Sequence, residues 1–228
     1  MKNLIKKELT LCTNPQVLIF CLMSALVIIP QWPSMIAMVY VLSGLMTIFP
    51  RALADQDIQY TAMLPIRKGD VVKGKTYLLS ILELGSLVFS IPFTLLKLLV
   101  FDPPLLASYK TSDPGQYSYT LGVQPSLGGY GYTLLAMGFF NAILLPWYYK
   151  NPQKVNWPPL VTFFASMLLL GLGIGAETMT VILLNYDKSA PLYWIVEGSV
   201  LLGGILLYIG LTIFGEKKGE KSFEKVDL

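Results

Sequence analysis

PLVTFFASMLLLGLGIGAETMTVILL, residues 159–184, decides the fold class: it runs for 26 residues with one charge, Glu177. A helix needs about 20 apolar residues to cross the hydrocarbon core of a bilayer. A soluble helix keeps a polar face, and this stretch has none. A second such run, PLYWIVEGSVLLGGILLYIGLTIF at 191–214, carries only Glu197. Lipid is the solvent both sequences suit.

Working outward, further apolar segments fall at 15–29, 34–49, 76–99 and 132–147, and the first long run is assigned a span at 159–176. The pattern predicts an all-α integral membrane protein, one transmembrane domain over 1–228 with about six transmembrane helices. Gly171, Gly173, Gly175 and Glu177 interrupt the apolar run and predict a re-entrant helix before the last span, 191–214. Residues 2–13 place Ile5, Leu9 and Cys12 on one face beside Lys2, Lys6 and Lys7, the pattern of an interfacial helix on an anionic leaflet. Pro50 is expected to close the second span, and Pro92 to break the third, which is expected to start at Thr76. Trp147, Tyr148 and Tyr149 suit a membrane interface. Residues 51–75 are polar, 101–131 read as a long Pro-, Gly-, Ser- and Tyr-rich loop, and 215–228 read as a charged tail without regular structure.

Composition agrees: 54% of residues are hydrophobic and 14% charged, against about 25% charged in ordinary soluble domains. The chain has no histidine, which excludes HExxH zinc sites, Ser-His-Asp triads and histidine proton relays. Cys12 and Cys21 match neither a metal knuckle nor a disulfide framework. No catalytic residue, metal site or chain-bound cofactor is therefore expected. The net charge of +3 forms no basic stripe interleaved with aromatics, so no nucleic acid partner is expected. Charge reports orientation instead. Segments 2–13, 51–75, 150–154 and 217–225 hold fourteen of the seventeen Lys and Arg residues, which predicts both termini in the cytoplasm.

Gly69 to Thr76, Gly-Asp-Val-Val-Lys-Gly-Lys-Thr, satisfy GxxxxGK[ST] letter for letter. A phosphate-binding loop also needs a buried strand before it, a helix on a sheet after it, and a second carboxylate for magnesium. The preceding Met-Leu-Pro-Ile-Arg-Lys makes a poor central strand, and the following helix enters the membrane. The match is read as false, and the segment as a basic membrane entry with no nucleotide-binding residue.

Residues 55–77 contain Asp55, Asp57 and Tyr60, then Leu64-Pro65-Ile66, Lys68, Asp70, Val71-Val72 and Lys75. This resembles the cytoplasmic loop between the second and third helices of small ABC-2 type transporter permeases. Arg67 stands where that pattern usually has a capping Ser or Thr, and Gly69 where a second basic residue is common. The motif covers about 25 residues, and length, interfacial helix and span number agree with it; the outer loop is longer than the family's. The resemblance implies a permease subunit of an ATP-driven exporter in the bacterial cytoplasmic membrane, paired with a second permease, a copy or a different chain. A separate ATP-binding subunit would carry ATP and magnesium. Segment 51–75 would hold the coupling helix, with Asp55, Asp57, Tyr60, Leu64 and Pro65 meeting the ATPase and Arg67 and Lys68 on that loop or at phospholipid headgroups. Phenol-soluble modulin and bacteriocin exporter permeases are the nearest likeness, which implies amphipathic peptide cargo.

Glu83 and Glu197 lie inside predicted spans, where an unpaired charge is costly. They are the candidate substrate-cleft residues, with pairing to Lys97 or to a partner as the structural alternative. Competing classes are an ATP-independent secondary transporter or channel, and an intramembrane enzyme. The first would show matching broken helices or rings of charge, and the second a nucleophile and base at helical spacing; neither pattern is evident.

Overall fold

A computed structural model describes residues 2–12, 15–29, 34–62, 66–101, 125–152, 157–183 and 191–226. The chain is an all-helical, multi-pass membrane protein, with no strand among the described residues. In chain order the helices are α1 (Lys2–Cys12), α2 (Pro15–Leu22, continued by a 3-10 helix over Met23–Ile28), α3 (Ser34–Ala54), α4 (Asp57–Ala62), α5 (Lys68–Leu96, with a π turn over Lys97–Phe101), α6 (Leu127–Lys150), α7 (Trp157–Leu183) and α8 (Pro191–Glu224). Five of them, α3 and α5 to α8, are long and apolar enough to cross a membrane. The sixth expected span is the short α2 segment, set at 86° to α1.

Several expected boundaries are corrected. Pro50 does not end α3, and Pro92 does not break α5. A proline removes one ladder hydrogen bond, and a helix held by its neighbours absorbs that loss. Phe49 and Ala52 beside Pro50 are buried, while Ser90 and Thr94 beside Pro92 share hydrogen bonds with Tyr130 Oη at 3.0 and 2.8 Å. The helix of the third span begins at Lys68 rather than at Thr76, because Val71, Val72 and Lys75 are already buried against the bundle and hold the two preceding turns in place. The fourth begins at Leu127, where Ser126 Oγ accepts from the Gly129 N–H at 2.8 Å. Most of the expected outer loop, 102–124, lies outside the described residues.

The expected re-entrant helix is not present among the described residues, because α7 runs unbroken through its glycines. Gly173 serves packing: a Cβ there would stand 2.9 Å from the Tyr132 ring of α6. The tail is helical too. Gly215, Gly219 and Phe223, four residues apart, form a buried stripe that carries α8 onward to Glu224 against α6. Of the three aromatics expected at the interface, Trp147 is exposed, while Tyr148 and Tyr149 are core residues packed between Phe49 and Phe223.

The closest helix pair is α6 with α8, and small residues make it. Gly131 touches the Val200 carbonyl, Gly204 touches the Gly131 backbone, Gly138 meets Tyr208, and Gly215 meets Asn141. Between spans lipid is as apolar as any side chain, so close backbone approach and polar bonds supply the attraction.

Candidate functional site

At one end of the bundle α1, α4 and the first turns of α5 converge. Gly74 makes the approach, with a Cβ position 3.1 Å from Leu4 and 3.7 Å from Glu8, so α1 lies directly on α5. Four charges then alternate. Lys75 Nζ stands 2.8 Å from Glu8 Oε2 and 3.4 Å from Asp57 Oδ2. Lys7 Nζ stands 2.5 Å from Asp57 Oδ1 and 3.5 Å from Glu8 Oε1, and donates to Thr61 Oγ1 at 2.5 Å. Thr61 in turn donates to the Asp57 carbonyl at 2.6 Å. The Glu8 and Lys75 side chains are 1% and 3% exposed, so this pair neutralises itself out of water, with Lys7 and Asp57 partly buried beside it. Burial raises the Asp57 carboxyl, but Lys75 and Lys7 outweigh it and hold that carboxyl below its usual range.

Beside this knot is a cleft of about 420 Å³, lined by Lys7, Thr10, Arg51, Asp55, Asp57 and Tyr60 among others. The chain reverses into it at Gln56, whose φ of 53° is left-handed. Asp55 pairs with Arg51 at 3.6 Å while both remain exposed, and Tyr60 is 65% exposed. The expected coupling residues thus divide: Asp57 locks the loop to the bundle, whereas Asp55 and Tyr60 face outward. Leu64 and Pro65 lie outside the described residues. Arg67 is exposed and caps α5 with extended backbone only. Lys68 donates to the Val226 carbonyl at 2.7 Å, tying α5 to the end of α8.

Gly69 to Thr76, the match to the phosphate-loop expression, lie within the opening turns of α5. Helix geometry engages the N–H groups beyond Gly69, with the Asp70 N–H on the Arg67 carbonyl, and Lys75 is held by Glu8, so they form no loop around a phosphate. Thr76, whose hydroxyl would have to meet magnesium in such a loop, is buried and donates instead to the Val72 carbonyl one turn back, at 3.0 Å. Among the described residues no group of three or more His, Cys, Asp or Glu could hold a metal ion.

Glu83 and Glu197 do not share a cleft. Glu83 is fully buried and accepts at Oε2 from Asn141 Nδ2 and from Tyr208 Oη, each at 2.8 Å. Glu197 Oε2 instead accepts from the Gly128 N–H at 2.5 Å, at the N-terminus of α6. Their partners Gly128 and Asn141 are thirteen residues apart on that helix, or about 20 Å at 1.5 Å per residue. Glu177 also reaches that terminus, through Ser126 Oγ. Two carboxylates at the positive end of one helix dipole form a structural cap. Lys97 is buried fourteen residues beyond Glu83 and makes no ion pair with either glutamate among the described residues.

Sequence reasoning missed Lys7 and Glu8 as members of the charge knot, and Asn141 and Tyr208 as partners of Glu83. The signal for Glu8 was the one acid in the lysine-rich first helix; for Asn141 it was an amide inside an apolar span. No family model, characterised protein or solved structure matches the chain.

Proposed function

We propose that this chain is the membrane-spanning permease subunit of an ATP-driven exporter in the bacterial cytoplasmic membrane, both termini inside, moving amphipathic peptides or other amphiphiles outward. The ATP and magnesium belong to a separate ATPase, and a second permease completes the pore. One observation carries the reading. The short helix α4 is fastened through Asp57 to Lys75 on a spanning helix and to Lys7 on α1, while Asp55 and Tyr60 beside the cleft face outward. A loop built this way passes a push from a soluble partner to α5 without slack, as a coupling helix requires. The fourteen inward Lys and Arg residues support the orientation.

The test is affinity purification of the tagged full chain from bacterial membranes, followed by ATPase assay. An ATP-hydrolysing partner is expected with wild type. Asp55→Lys with Tyr60→Ala should weaken its capture, because losing an interface anchor costs about 2 kcal/mol, roughly thirtyfold in affinity. Purification of a folded chain without any ATPase would favour an ATP-independent transporter instead.

A further inference from the structure

The middle of the bundle holds a polar cluster that the coupling reading does not use. Glu83 on α5, Asn141 on α6 and Tyr208 on α8 each lie near the centre of their helices. Glu83 is 0% exposed, and its Oε2 accepts from two donors, Asn141 Nδ2 and Tyr208 Oη. Asn141 Nδ2 also reaches Thr212 Oγ1 at 3.4 Å. Two of its buried oxygens have no hydrogen bond among the described residues, Glu83 Oε1 and Asn141 Oδ1. Both are acceptors; the cluster is short of hydrogen, not of oxygen.

No cation remedies this. Among the described residues no Lys or Arg from the packed helices comes within ion-pair distance of Glu83. Among the described residues Asn141 and Tyr208 bond to it, and of these Tyr208 is titratable. An isolated carboxylate in such a medium neutralises rather than remaining charged. The division of hydrogen bonds distinguishes the two oxygens. Oε2, with two donors aimed at it, suits the carbonyl role, which leaves Oε1 as the oxygen to carry a proton.

We propose that Glu83 is a reversible proton-binding site, a neutral carboxylic acid while α5, α6 and α8 are packed and a carboxylate when they part. Separation withdraws Asn141 and Tyr208 and admits water, which accepts the proton from Oε1. The exposed negative charge then opposes closure until a proton returns. The site therefore makes closure of the bundle depend on a proton, whether or not an ATPase drives opening.

Infrared spectroscopy of the full chain in lipid, with carboxyl-labelled glutamate to identify the bands, tests this at neutral pH. Wild type should show a protonated-carboxyl C=O stretch that Glu83→Gln abolishes, and that shifts downward in D2O as the proton exchanges. Tyr208→Phe should retain the band but move it to higher frequency, since it removes one of two hydrogen bonds to the carbonyl oxygen. That variant keeps the test open should the glutamine variant fail to fold. Two results would overturn the proposal: identical carboxyl bands in wild type and Glu83→Gln, or a band that never responds to D2O.

Discussion

Lys75→Met alone is expected to destabilise the protein by about 3–5 kcal/mol, because it removes the buried cation between Glu8 and Asp57 and leaves both carboxylates to Lys7, which stands 3.5 Å from Glu8. Glu8→Leu should cost a similar amount for the converse reason. The double variant Glu8→Leu/Lys75→Met should recover most of the loss, since an apolar pair of similar volume needs no desolvation and leaves Lys7 with Asp57 at 2.5 Å. The coupling energy from the three variants is read from unfolding of the purified chain in detergent. Arg51→Ala is the contrasting case. Its pair with Asp55 is about half exposed on each side, and exposed pairs contribute about 0–1 kcal/mol. Equal losses for Arg51→Ala and Lys75→Met would mean that the knot does not fasten α1 and α4 to α5.

Gly204→Val should separate α6 from α8, while Gly203→Ala, one residue away, should be tolerated. The Cβ position of Gly204 falls on the Gly131 backbone, 2.6 Å from its Cα, and that of Gly203 meets nothing within 4 Å. The clash is with backbone on both sides, so no side chain can move aside. Overpacking typically costs about 1–3 kcal/mol, occasionally more, and this seam places it at the upper end. Gly203→Ala instead removes a residue about 0.8–1 kcal/mol poorer than alanine in a helix interior. Because Tyr208 lies one turn beyond Gly204, separation also withdraws its hydroxyl from Glu83. Thermal melting of both variants, with yield of folded protein, separates the cases. Loss of stability in Gly203→Ala to match Gly204→Val would contradict the seam.

The apolar runs made the class of fold legible, because a span of this length has few other physical uses. The ends of helices were less legible. Expecting Pro50 and Pro92 to break spans and Gly171 to Gly175 to interrupt one applied local propensity where packing on α6 and other neighbours prevails. The tail after Phe214 looked unstructured because its charges dominate composition, yet every fourth residue is small or apolar and faces α6. At the site, Asp57 was legible from its loop, and Glu83 from the cost of a carboxylate in lipid. Their partners were not, since Lys7 is 50 residues from Asp57 and Tyr208 is 125 from Glu83. Pairing at that separation is set by helix packing rather than by spacing along the chain.

The central claim is that α4 presents its exposed face to an ATPase, and a photo-crosslinker in place of Tyr60 tests it most directly. Irradiation of cells producing the full chain, with mass-spectrometric identification of the adduct, should yield an ATP-binding protein attached at residue 60, and the adduct should diminish with Asp55→Lys. Adducts to lipid alone from a folded, membrane-inserted chain would contradict the account.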